Sequence, residues 1–227
     1  MTRLHIGQCE LTYEGAFVQP AFSLVDAPGK LCDLLLDALV DFGLTSADLS
    51  TDKGGEPSEP SEWRVTCDVN EIETQASLHG DRIEVHCANF SEPLTARVAT
   101  ILENTWSRLA ALNAGPVPKT HSFLIEADAE IRGASYQELL NRLARPPESL
   151  PPGTETAIVY YLPREPERGY VESSLVLNHA GGIEHGLEIN ATLVFEASVV
   201  KPAASIAAAR NRFRELLQCL QLQWTED

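Results

Sequence analysis

Alternation is the feature that most restricts what this chain can fold into. Trp63, Val65, Cys67 and Val69 are apolar at every second position, with Arg64, Thr66 and Asp68 between them. Ile83, Val85 and Cys87 alternate in the same way with Arg82, Glu84 and His86. Phe123, Ile125, Ala127, Ala129 and Ile131 alternate with Leu124, Glu126, Asp128, Glu130 and Arg132. A period of two sends successive side chains to opposite faces of a strand. Each run therefore reads as a half-buried strand with one dry and one wet face, the pattern of an antiparallel sheet solvated on one side.

Other stretches change period to that of a helix. Leu31, Leu34, Leu35, Ala38, Leu39 and Phe42 predict a helix over 28–42, begun at Asp26 and Pro28 and stopped by Gly43. Ser91, Glu92 and Pro93 open a second, whose stripe is Val98, Ile101, Leu102, Thr105, Leu109 and Leu112. Ser135 and Glu138 form a capping box ahead of Leu139, Leu140 and Leu143. A last helix is predicted over 203–221, with Ile206, Ala209, Phe213, Leu216, Leu217 and Leu220 on its buried side. Further strands are expected near 156–162, 170–178 and 183–196. The breaker-rich stretch 45–62 reads as a mobile loop.

The order strand, helix, three strands, helix occurs twice. Residues 79–84, HGDRIE, align without gaps to residues 179–184, HAGGIE. Leu35, Leu36 and Leu39 match Leu139, Leu140 and Leu143, and Ala96, Val98, Ala99, Leu109 and Leu112 match Ala204, Ile206, Ala207, Leu217 and Leu220. The expected fold class is therefore α+β: a duplicated β-α-β-β-β-α unit, residues 1–117 and 118–227, with helices on one face of antiparallel sheet and a polar face opposite. The order resembles that of the duplicated TATA-binding-type saddle. The resemblance is one of fold alone, without that family's sequence motifs, and implies no function and no site residues.

Charge and cysteine content then bound the partners. The chain of 227 residues has a net charge of −16, which repels phosphate backbones and anionic lipid. Nucleic acid and membrane are excluded as expected partners on that ground, and a basic protein is favoured. Five scattered cysteines without a CxxC motif read as reduced thiols. No apolar leader is evident at the start, and the expected location is the cytoplasm. Exposed sheet edges allow a homodimer.

Candidates for chemistry are sparse. Two histidines and a carboxylate are the nearest approach to a metal site, at His179, Glu184 and His185, and no metal or cofactor is expected because the spacing fits no ligand signature. The His79 hairpin, with Glu84 and His86, has the same shortcoming. Gly181 and Gly182 fit a hairpin turn, not a phosphate loop. Cys67 and Cys87 lie on the dry phase, where a thiol is inert. Arg210, Arg212 and Arg214 read as a solvated helix surface. No catalytic residue is assigned. The leading expectation is a non-catalytic interaction module, an adaptor, inhibitor or immunity-like protein. Its partner-binding face would carry Glu126, Asp128, Glu130, Glu84, His86, Glu172 and Glu188. The alternative is a small-molecule enzyme or ligand-binding protein using a cleft between sheet and helices, or between the two halves.

Overall fold

The computed structural model describes residues 2–21, 28–53, 63–112, 115–144, 156–183 and 185–225. The fold is α+β, and the described residues form a mostly antiparallel ten-stranded sheet and four α-helices. The strands are β1 (Thr2–Phe17), β2 (Leu49–Lys53), β3 (Trp63–Val69), β4 (Thr74–His79) and β5 (Arg82–Cys87). They continue with β6 (Pro118–Arg132), β7 (Ile158–Leu162), β8 (Tyr170–His179), β9 (Gly186–Glu196) and β10 (Leu222–Thr225). The helices are α1 (Pro28–Ala38), α2 (Glu92–Ala110), α3 (Tyr136–Leu143) and α4 (Pro202–Cys219). Strand order is β2-β3-β4-β5-β1-β6-β9-β8-β7, and β10 lies parallel to the beginning of β1.

The long strands β1 and β6 pair antiparallel through the middle of the sheet, from Arg3 opposite Arg132 to Phe17 opposite Pro118. Their dry-side residues are the core: Leu11, Tyr13, Phe123, Ile125 and Ala129 are all nearly inaccessible. Helices α2 and α4 pack against each other, α1 packs on α2, and α4 also meets β6, β9 and β10. The predicted stripe of α2 is buried at Val98, Ile101, Leu102, Thr105 and Leu109, and Trp106 joins it. The expected stripe of α4 is buried from Ile206 to Leu217. The capping box forms, Ser135 accepting from the Glu138 amide while Glu138 accepts from that of Ser135.

Several expectations are corrected. The first helix ends at Ala38; a 3-10 turn, Val40–Phe42, follows and is closed by Gly43 at φ 69°. Its expected opening residue Asp26 lies outside the described residues, as do residues 54–62. The rest of the supposed loop is ordered, since Thr45 and Asp48 cap each other and lead into β2, which pairs with β3. Between α1 and α2 three strands are expected, and β2 makes a fourth; β4 alternates, Ala76 and Leu78 against Gln75, Ser77 and His79. Ser77 and His79 point to the wet side yet are buried, Ser77 sharing a hydrogen bond of 2.9 Å with Thr66. Ser91 starts α2 without a side-chain cap.

The arginines of α4 are not a solvated surface. Arg210 and Arg212 are 5% and 7% exposed. Arg212 reaches Glu165 and Glu215 and lies over the Tyr170 ring, its guanidinium carbon 4.7 Å from the centroid. Arg168 covers the same ring at 5.0 Å and bonds Glu215. Arg210 and Arg214 both reach Glu92 in the first turn of α2. The basic residues therefore clamp α4 to its neighbours.

Candidate functional site

Register along β1, β6 and β9 builds one polar patch in the centre of the open face. Glu10 stands directly opposite Glu126, and Asp128 directly opposite Gln8. Across the next seam Glu126 faces Asn190, and Asp128 faces Glu188. Two of these neighbouring pairs, Glu10 with Glu126 and Asp128 with Glu188, bring like charges together, an arrangement that destabilises a sheet. A β-bulge between Ile6 and Gln8 restores the phase of β1, so that Gln8 and Glu10 both face the patch. Gln8, Glu10, Glu126, Asp128, Glu188 and Asn190 surround a cavity of about 190 Å³.

Neutral amides, not cations, are the principal partners here. Gln8 donates to Glu10 at 2.6 Å, and Asn190 donates to Glu188 at 3.0 Å. The Asn190 Oδ1 is buried without a hydrogen-bond partner among the described residues. His86 approaches Glu10 only to 3.9 Å, while its Nδ1 shares a hydrogen bond with Thr12. Glu126 and Asp128 have no ion pair with any described residue.

The other residues assigned to the face divide. Glu130 is exposed beside Arg132, and Glu172 is exposed farther out on β8. Glu84 belongs to a separate, self-neutralised cluster with His79 at 3.2 Å and Arg82 at 2.7 Å. The His79 hydrogen bond, followed by that from Arg82, overcomes burial and holds the Glu84 carboxyl down at about 2. Local pattern pointed to Glu126, Asp128 and Glu188 but omitted Gln8 and Glu10. The alternation of Gln8, Glu10, Thr12 and Glu14 with Cys9, Leu11 and Tyr13 carried that signal.

The metal candidates do not converge. Exposed His179 packs its ring 5.2 Å from Tyr136, and His185 is exposed with a left-handed φ of 58°. Glu184 lies outside the described residues. Among the described residues, no group of three His, Cys, Asp or Glu side chains is placed to hold a metal ion. Burial pushes the Cys67 thiol up to about 11. Among the described residues, no helix is long and apolar enough to cross a membrane.

A second polar constellation lies inside the core. The Trp106 indole N–H donates to the Tyr13 hydroxyl at 2.9 Å, and that hydroxyl is 2.8 Å from His121 Nδ1. With its oxygen accepting from Trp106, the Tyr13 O–H donates to Nδ1, which leaves the His121 proton on Nε2. That nitrogen is directed at the Val200 backbone, short of a well-formed hydrogen bond. Burial pushes the Tyr13 hydroxyl well above its ordinary value and His121 down to about 4. The imidazole is therefore neutral at pH 7.

No protein-family description matches the chain, and no curated protein matches it. Among solved structures it is similar to that of a rolling circle replication initiator protein from Geobacillus stearothermophilus. The two are 13% identical at a TM-score of 0.36, over 95% of this chain and 84% of that one. So loose a likeness transfers neither fold nor activity. Two expectations are withdrawn, the exclusion of nucleic acid and the assignment as a non-catalytic interaction module with a basic partner. Both leaned on a net charge of −16, which describes the field of the whole chain and not the chemistry of any one surface.

Proposed function

We propose that the chain is a small-molecule-binding protein whose ligand is a small organic cation, such as a polyamine, seated over the junction of β1, β6 and β9. We further read residues 1–117 and 118–227 as two copies of one β-α-β-β-β-α unit, so that the patch lies beside the seam where they join. The mirrored strand orders β3-β4-β5-β1 and β7-β8-β9-β6, meeting at the β1–β6 pair, support that reading.

The observation that carries the proposal is the set of like-charge neighbours. Glu10 with Glu126, and Asp128 with Glu188, are held together with amides in place of neutralising cations. Such an arrangement opposes folding, and groups that work against stability are characteristic of functional sites. A ligand ammonium would relieve the repulsion and would accept no competition from a resident lysine or arginine. Gln8 and Asn190 supply amide groups for orienting it.

Calorimetric titration with spermidine at low salt tests the assignment. Saturable binding is expected to be lost in a Glu126→Gln/Asp128→Asn variant and kept in a Glu71→Gln/Glu103→Gln control. No binding, or equal binding in both variants, overturns the proposal, because binding would then follow overall charge.

A further inference from the structure

The opposite side of the molecule carries a groove of different chemistry. It has a volume of about 320 Å³ and runs between the C-terminal half of α2 and the first turn of α4. Trp106, Ala110, Pro116, Pro118, Pro202 and Ala203 form its apolar walls. Trp106 is 6% exposed, and its indole N–H is already held by Tyr13, which is tied in turn to His121. The ring is thus fixed before any ligand arrives, so little order has to be imposed on binding. Around the groove, the connections next to its walls leave Val18, Val117 and Val199 exposed at 57%, 62% and 50%. Val18 and Val117 are joined by a backbone hydrogen bond of 2.9 Å. Apolar side chains gathered at one end of a fold mark a binding surface.

Charge identifies the occupant. The sequence contains four lysines, Lys30, Lys53, Lys119 and Lys201. Lys201 lines the groove, and Lys119 is exposed next to the Pro118 wall. In a chain of net charge −16, Lys201 is the one lysine or arginine among the lining residues, and Glu103 is the one carboxylate. The volume is at the small end of the range for organic ligands and is too small for a protein element. The geometry points to a binding site for a small aromatic or similarly apolar carboxylic acid, its body against Trp106 and the proline walls and its carboxylate at Lys201.

The experiment uses 1-naphthoate and its neutral counterpart 1-naphthalenemethanol, with the full-length chain. Binding is followed by calorimetry and by the indole N–H resonance of Trp106, assigned through its absence in Trp106→Phe. Naphthoate is expected to shift that resonance and to bind about tenfold more tightly than the alcohol, the effect of one charge-assisted contact. Lys201→Glu is expected to remove that advantage while leaving the alcohol unchanged. Ala110→Leu, at an exposed helical position, and Ala203→Leu are each expected to block both compounds by filling the groove. No shift at millimolar naphthoate, or binding that survives both leucine substitutions, overturns the site. Equal affinity for acid and alcohol, unmoved by Lys201→Glu, overturns the assignment of an acid.

Discussion

At the scale of single residues, the hydrogen-bonded series Trp106–Tyr13–His121 ties stability to pH. Burial holds His121 down at about 4 in the folded protein, against about 6.5 for an unperturbed histidine. The unfolded chain therefore takes up the proton first. Stability from this group is complete above pH 6.5, declines as pH falls below that value, and levels off once pH is below about 4. The difference amounts to about 3 kcal/mol. Denaturant titrations at pH 7 and pH 4.5 are expected to show this loss, and His121→Gln is expected to make it smaller. Glu84 acts in a lower window. Its folded value of about 2 means that its contribution is present above the ordinary carboxylate range and is lost as pH falls towards 2. Ser173 behaves differently, since its hydroxyl is buried without a partner among the described residues, on the dry side of β8. Ser173→Ala is expected to leave stability unchanged or raise it by up to about 1 kcal/mol, read as an unchanged or higher urea midpoint.

At the scale of elements, two fastenings set where helices sit on the sheet. Gly15 is the position on β1 that lets α2 approach. A Cβ there would stand 2.3 Å from the Tyr13 hydroxyl and 2.8 Å from the Trp106 ring. Gly15→Ala is expected to cost about 2 kcal/mol through overpacking and to broaden or move the Trp106 indole resonance. The second fastening joins α4 to the β7–β8 connection through Arg212, Glu165, Glu215 and Tyr170. Arg212 is nearly inaccessible, so Arg212→Ala removes buried stem and ring contact together with charge. The expected loss is about 3 kcal/mol. Arg214→Ala, at a 39% exposed side chain, is expected to cost less than about 1 kcal/mol. Equal losses in chemical denaturation would show that the network does not fasten the helix.

At the scale of the whole molecule, the central carboxylates set a conflict between stability and binding. Glu126→Gln and Asp128→Asn each relieve a repulsion between neighbouring strands and are expected to stabilise the fold by about 0.5 kcal/mol. The gain should shrink as salt is added, because screening already weakens the repulsion. A variant that melts higher yet no longer binds spermidine is the joint outcome expected. What the sequence by itself determined was period: residues two apart share a face of a strand, residues three and four apart share a face of a helix, and these rules are local. They were enough for the α+β class, for the strand β6, for the capping box at Ser135 and for the wet side of Glu126 and Asp128. Strand β2 escaped because residues 49–53 carry no apolar alternation and become a strand only by pairing with β3, a partner that local pattern does not name. The burial of Arg210 and Arg212 escaped for the same reason, since Glu92 and Glu165, which pair with them, come from elsewhere in the chain. Which strands are neighbours was decided only in the tertiary structure. Glu10 and Glu126 are 116 positions apart in the chain, and only the register of β1 on β6 sets them face to face.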